Sequence, residues 1–225
     1  MLLLVPPPRR ALKRVIRAVT KRVKRRVRLD NDQRRAQLLS LARRAFSDRA
    51  YDDVSIDDLA KEAKISKGLL YHYFPTKRDL YVAGLSEIAG ELVAAVTSTG
   101  GDAPIDRARA GLDAYLDHIT RHQRAFVSLM RGGIGSDPEV AAVVEGVRAK
   151  MFETFLQDQP FAPLVKGDAR FETAVRGWIG FVEAATIDWC ENPRLTREQL
   201  RELLVEILFE VLRVVSPPIF QTAKR

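Results

Sequence analysis

The chain has 225 residues, 46% of them hydrophobic and 29% charged, with a single cysteine, Cys190. That length accommodates one or two domains with a sizeable core, the lone cysteine excludes an internal disulfide and fits a reducing cytosol, and no apolar run approaches the ~18 residues of a membrane span. The net charge of +8 is uneven: eleven Lys and Arg and no acid fall in residues 9–28, leaving 26 basic against 29 acidic residues elsewhere, a net of −3.

The first five residues, MLLLV, are too short for a secretory apolar region, and Pro6-Pro7-Pro8 follows them without a small-residue cleavage site. In the basic stretch, Leu12, Ile16, Val19, Val23 and Val27 recur at steps of four, three, four and four, the pattern of a cationic amphipathic helix. Three readings fit it: a solvated tail held open by like charges, a helix lying on a membrane surface, or an arm that gains order on nucleic-acid phosphates. A first helix is predicted over 32–49, with Leu38, Leu39, Ala42, Ala45 and Phe46 inward. Ser55 sits where an N-cap belongs, ahead of Asp57 and Asp58 and the apolar face of Ile56, Leu59, Ala60 and Ala63. After a break at Lys64-Ile65, Ser66 caps a third helix over 67–73, Pro75 ends it, and Thr76 opens a fourth with Asp79 as capping-box partner. A helix of two turns is not stable alone in water. It packs through Ile65, Leu70 and Phe74, which leaves Lys67, Gly68, Leu69, Tyr71 and His72 facing outward. Two adjacent exposed aromatics beside a lysine and a glycine suit a surface that meets phosphates and base edges.

The fourth helix is predicted over 77–97, with Leu80, Leu85, Ile88, Leu92 and Val96 on one face. A break at Thr99-Gly100-Gly101-Asp102 precedes a fifth helix from Ile105, whose stripe of Ala108, Leu112, Tyr115, Leu116 and Ile119 continues through Phe126, Val127 and Met130 as a further helix or a kinked continuation. A glycine-rich turn at 132–135 leads to a helix opened by Asp137-Pro138-Glu139 and running to about Gln157. A loop is expected over 160–167. Two long helices follow over 168–191 and 196–215, split by Asn192-Pro193, with Thr196 and Gln199 as a second capping box. The fold class is all-α. The expected organisation is a basic extension (1–28), a three-helix unit with a helix-turn-helix (29–78), a larger helical unit (79–215) and a tail (216–225).

The run ISKGLLYHYFPTKRDL, with ARRAFSDRAYDDVSIDDLAKEA ahead of it, resembles the DNA-binding domain of TetR-family transcriptional regulators over about residues 33–85. Two residues depart from that family's pattern: Lys64 stands where a turn glycine is usual, and Leu69 where a small or polar residue is common. The resemblance implies that Lys67, Gly68 and Leu69 meet the major groove, and that Ser55, Ser66, Tyr71, His72 and Lys77 complete the DNA-binding surface, mostly at phosphates. It also implies a cytoplasmic homodimer on a palindromic operator in double-stranded DNA. The larger helical unit then holds a cavity for a small hydrophobic effector whose binding releases a repressor. Tyr115, Phe126, Met130, Met151, Phe155, Trp178 and Phe181 are the expected lining. Leu204 and Ile207, joined by Phe181, are expected in the dimer interface. The alternative function is a nucleoid- or membrane-associated binding protein acting through the basic arm.

The remaining constellations carry less chemistry. His118 and His122 lie four apart on one helical face, a geometry that can hold a metal, but no third ligand shares their stripe, since Asp113 and Asp117 fall elsewhere. A surface or pocket-lining pair is the reading, with no metal. The stretch GGIGSD follows a helix and lacks the Lys-Ser/Thr of a phosphate loop, so it reads as a turn. Cys190 reads as a buried thiol. No catalytic triad or paired-carboxylate site is present, so neither enzyme activity nor a cofactor is expected.

Overall fold

A computed structural model of the protein describes residues 31–101, 103–156 and 165–215. The basic arm, most of the expected 160–167 loop and the tail from residue 216 lie outside the described residues. Among the described residues every regular element is helical. The elements are α1 (31–48), a 3-10 turn at Tyr51–Asp53, α2 (Ile56–Glu62), α3 (Lys67–Tyr73), α4 (Lys77–Thr97), α5 (Pro104–Arg121), α6 (Gln123–Arg131), a 3-10 turn at Gly133–Ser136, α7 (Pro138–Leu156), α8 (Ala169–Glu191) and α9 (Arg197–Val215).

Local chemistry sets the early boundaries. Ser55 Oγ accepts from the Asp58 amide, and Ser66 Oγ accepts from the Leu69 amide. Thr76 and Asp79 close a reciprocal capping box at the start of α4. Each such cap contributes about 1 kcal/mol. Lys64 is left-handed, with φ 55°. Its amide donates to the Lys61 carbonyl, and the Ile65 amide donates to the Ala60 carbonyl, both at 3.0 Å. This is a Schellman ending, and it turns the chain from α2 into α3 at a backbone cost to lysine of about 1 kcal/mol.

One hydrophobic cluster joins α1 to α4, through Leu38, Phe46, Leu59, Leu70, Leu80 and Leu85, and also takes in Val140 of α7. The helix-turn-helix therefore has no core separate from the rest of the molecule. Gly84 allows α4 to lie against α1: a Cβ there would sit 3.2 Å from the Ala42 Cβ and 3.3 Å from its carbonyl carbon. A second cluster packs α5 on α8 and α9 through Leu112, Leu116, Val182, Leu200 and Leu204. A third, with Val165, Phe171 and Val175 at its centre, joins the ends of α7 and α9 to the start of α8.

Three expectations are corrected. Leu204, expected at the dimer face, is fully buried inside its own subunit, because α9 turns that side of its stripe onto α5 and α8. Val165, inside the expected loop, is helical and buried. Finally, α4 is long and apolar enough by length and composition to cross a membrane, with a mean hydropathy of 1.4. Its Leu, Ile, Val and Ala raise the average, while Gly, Ser and Glu interrupt any long apolar run. In the protein this helix packs against α1, α5 and α7.

Candidate nucleic-acid interface and effector cavity

The two turns of α3 are held by Leu70 and Phe74, both buried, and by the Tyr73 hydroxyl, which donates to Asn31 Oδ1 at 2.9 Å. Burying a leucine fully contributes roughly 2 kcal/mol, enough to fix which face of so short a helix points out. The outward face carries Lys67, Gly68, Leu69, Tyr71 and His72, all exposed. Leu69 is 38% and Tyr71 36% accessible, high for large apolar side chains. Gly68 has no internal reason to be glycine. It is helical, and a Cβ there would meet only Ser66 Oγ, at 4.0 Å. An absent side chain on an open face suits close approach by another molecule.

The other expected contacts are partly engaged within the protein. Lys67 Nζ pairs with Asp57 at 3.0 Å, so α2 and α3 share an ion pair. Lys77 is half-buried, with Nζ 4.3 Å from the centre of the Tyr51 ring. Tyr51 in turn meets Tyr81 edge-on at 5.0 Å, and Tyr81 meets Phe46 at 4.9 Å. Ser55 and Ser66 use their hydroxyl oxygens as caps.

A cavity of about 110 Å³ lies where α1, α4, α5, α6 and α7 meet. Of the seven expected lining residues it holds three, Tyr115, Phe126 and Met130. The other four lie elsewhere. Trp178 packs in the α5–α8–α9 cluster and donates from Nε1 to the Leu204 carbonyl at 3.1 Å. Phe155 packs against the Val165–Phe171–Val175 cluster, Phe181 is 38% exposed on the outer surface, and Met151 is off the cavity wall. In their place stand residues that the sequence pattern assigned to the DNA-binding unit and its edge: Phe46, Ser47, Tyr81 and Leu85. Val143, Val144 and Val147 close the α7 side. His118 and His122 also line the cavity, with ring centres 4.8 Å apart. Among the described residues no three His, Cys, Asp or Glu side chains cluster to hold a metal.

Two family models match this chain. One, for bacterial regulatory proteins of the tetR family, matches residues 38–83; the other, a tetracyclin repressor-like C-terminal domain, matches residues 104–211. A crystal structure of a tetR-family transcriptional regulator from Streptomyces coelicolor is 32% identical and superposes with a TM-score of 0.71 over 81% of this chain and 82% of that one. The chain belongs to the TetR family of transcriptional regulators. Among curated relatives, the HTH-type transcriptional activator FasR of Mycolicibacterium smegmatis is 34% identical over 123 residues, covering 52% of this chain and 55% of FasR. The HTH-type transcriptional regulator EthR of Mycobacterium tuberculosis is 29% identical over 140 residues, covering 60% of this chain and 61% of EthR. The chain thus spans between about half and three-fifths of these two relatives.

In this TetR-family chain, the helix-turn-helix is tied to the C-terminal helices by ion pairs as well as by the shared core. Arg78, at the start of α4, holds Asp137 through Nε and through Nη2 at 2.7 Å, and reaches Glu139 at 3.1 Å. The hydrogen bonds from Arg78 hold the Asp137 carboxyl down to about 2. Arg124 of α6 meets Asp53 of the first 3-10 turn at 2.8 Å. Both α4 and α7 therefore carry a cavity wall and one end of the same latch.

His118 is 4% exposed, and burial, with His122 and Arg121 nearby, lowers its pKa from 6.5 to about 4. Its neutral form is the one the fold holds. Between pH 6.5 and 4 the unfolded chain binds the extra proton, so stability is expected to fall as pH drops through that window, by roughly 2 kcal/mol. Urea melts at pH 7 and pH 4.5 should show this loss, and His118→Leu should remove most of it. An equal loss in that variant would assign the effect to other groups. Asp137 acts in a separate window: its stabilisation is present above pH 3.8 and is lost as pH falls toward 2.

Proposed function

We propose that this regulator is a cytoplasmic homodimer that represses from a palindromic operator and is released by a small hydrophobic effector. The observation that carries this reading is the shared wall of the cavity. Phe46, Ser47 and Tyr81, all within the matched DNA-binding region, face the same space as Val143 and Phe126 of the sensor helices. A ligand larger than the cavity has to displace one set from the other. It shifts the population only by its preference for the displaced state. Moving α4 moves α3 with it, because Leu70, Phe74 and Leu80 share one core. An activator, as FasR is named, would use the same coupling with the opposite ligand preference. Operator binding runs through Lys67, Gly68, Leu69, Tyr71 and His72, with Ser55, Ser66 and Lys77 at the edges, and acts without catalysis.

Dimerisation is assigned to the outer faces of α8 and α9. Phe181 and Leu203, each 38% exposed, lie there with Gly177, Gly180 and Ala184, and Val214 is 56% exposed at the α9 end. Small residues beside large apolar ones let two copies approach closely, and a palindromic site requires a two-fold protein.

The basic arm is assigned to DNA phosphates. Full-length protein should bind a palindromic promoter fragment about 1,000-fold or more tighter than scrambled DNA at physiological salt. Deleting residues 1–28 should weaken binding to both fragments and flatten the plot of log K against log salt by about 0.9 for each phosphate no longer neutralised. Fluorescence anisotropy at two salt concentrations reads both effects. An unchanged slope would remove the arm from DNA. Equal affinity for palindrome and scramble would overturn the operator reading in favour of a nucleoid-type binder.

A further inference from the structure

Three polar side chains reach the cavity from α5 and the residue that ends it: Tyr115, His118 and His122, spaced three and four apart. The Tyr115 hydroxyl oxygen and His122 Nδ1 are buried without a hydrogen-bond partner. The Thr186 hydroxyl lies beside that of Tyr115 as a weak neighbour, outside good hydrogen-bond geometry. The nearest charge to His122 Nδ1 is Asp48, at 3.8 Å, beyond hydrogen-bond reach. His118, buried to 4% exposure, contacts the His122 ring, with ring centres 4.8 Å apart. Buried polar groups are ordinarily paired. Two unpartnered atoms, with the His118 ring between them along one edge of an otherwise apolar space, mark a place where a ligand supplies the partners.

The charges around the space restrict that ligand. Among the described residues no Lys or Arg lines the cavity, and the one carboxylate on its wall, Glu183, already accepts from Arg148 at 2.9 and 2.7 Å. A carboxylate head group would lose its water and gain no cation. A cationic head would find that counter-charge occupied. Neutral imidazole and phenol groups each donate and accept, so they match a hydroxyl or a carbonyl. The volume of about 110 Å³ approaches that of an engineered apolar cavity able to hold benzene.

We infer that the cavity recognises an uncharged ligand whose apolar body is about one ring in size and whose hydroxyl or carbonyl hydrogen-bonds to Tyr115, His118 and His122. This rests on the effector-cavity reading above and adds the ligand's chemical class. The test is calorimetric titration of the full-length protein near neutral pH with three probes of similar shape: p-cresol, toluene and p-toluate. p-Cresol should bind at least about tenfold tighter than toluene, the factor expected when a ligand satisfies buried polar groups that its analogue leaves unpaired, and p-toluate should bind more weakly than either. Tyr115→Phe, which removes one oxygen, and His118→Leu should each narrow the cresol–toluene gap while leaving toluene binding intact. Retained toluene binding also reports that the cavity is folded; if His118→Leu does not fold, Tyr115→Phe carries the test alone. Equal binding of cresol and toluene would overturn the hydrogen-bonding inference while leaving an apolar effector cavity. Tightest binding by p-toluate would overturn the uncharged class. Failure of all three probes would overturn the effector-cavity reading together with the inference.

Discussion

Leu204→Glu is expected to unfold the protein. Its side chain is fully buried in the cluster formed by Leu112, Leu116, Val182 and Leu200. The same residue's carbonyl accepts the Trp178 indole hydrogen bond. A carboxylate there is desolvated without a partner, at a cost of more than about 4 kcal/mol. Against a total stability of about 5–15 kcal/mol for a typical domain, that is enough to abolish a cooperative thermal transition by circular dichroism. Leu203→Glu and Phe181→Glu should behave differently. Both residues are 38% exposed on the outer faces of α9 and α8, so their charge stays solvated in a single subunit and is buried only when two copies meet, twice by symmetry. These variants should keep their helical signal, run as monomers by light scattering, and lose the palindromic operator. A folded, dimeric Leu204→Glu protein would contradict the packing of α9. If both surface variants remain dimers, the interface lies on another face.

Tyr71→Ala is expected to lower operator affinity by about 100-fold or more with no change in helicity or mass. The ring stands on the open face of α3, on the same side as Lys67 and Gly68, while the helix is anchored through the buried Leu70 and Phe74. Truncating it therefore leaves the core untouched. On the proposed two-fold operator each variant dimer would be short of two aromatic rings at the DNA, which together are worth up to a few kcal/mol. Lys67→Ala should have a smaller effect, because the lysine has to leave Asp57 before it reaches a phosphate. Its signature is a salt slope reduced by about 0.9 for each phosphate left without its lysine. Parental operator affinity in Tyr71→Ala would mean that α3 presents a different face to DNA.

The physical connection between the face of α3 and the cavity runs through α4. That helix begins beside the aromatic group of Tyr51, Tyr81 and Phe46, is latched to α7 by Arg78 and Asp137, and then forms one wall of the cavity through Leu85, Ile88 and Leu92. A ligand that separates α4 from α7 strains the latch and the shared core together. This is why the cavity and α3 are not independent units, despite their separation along the chain.

What the sequence determined by itself was local. The capping oxygens of Ser55, Ser66, Thr76 and Thr196 act on amides three residues away, and the turn at Lys64 closes over five residues, so these interactions are legible in a short window. The helix boundaries follow from them, and the outward face of α3 follows from the apolar Leu70 and Phe74 on its inner side. The tertiary structure alone decided which side of a broad apolar stripe is buried and against what. Leu203 and Leu204 are neighbours of one residue type, yet one is exposed and the other lies in the core. Trp178, expected at the cavity, fills the core, while Phe46, expected inward, both joins a core cluster and borders the cavity. The hydrophobic effect is non-directional: periodicity states that a face is apolar but not which helix covers it. The Arg78–Asp137 pair, 59 residues apart in the chain, has no sequence signature either, because an ion pair is specified by the folding that brings its partners together.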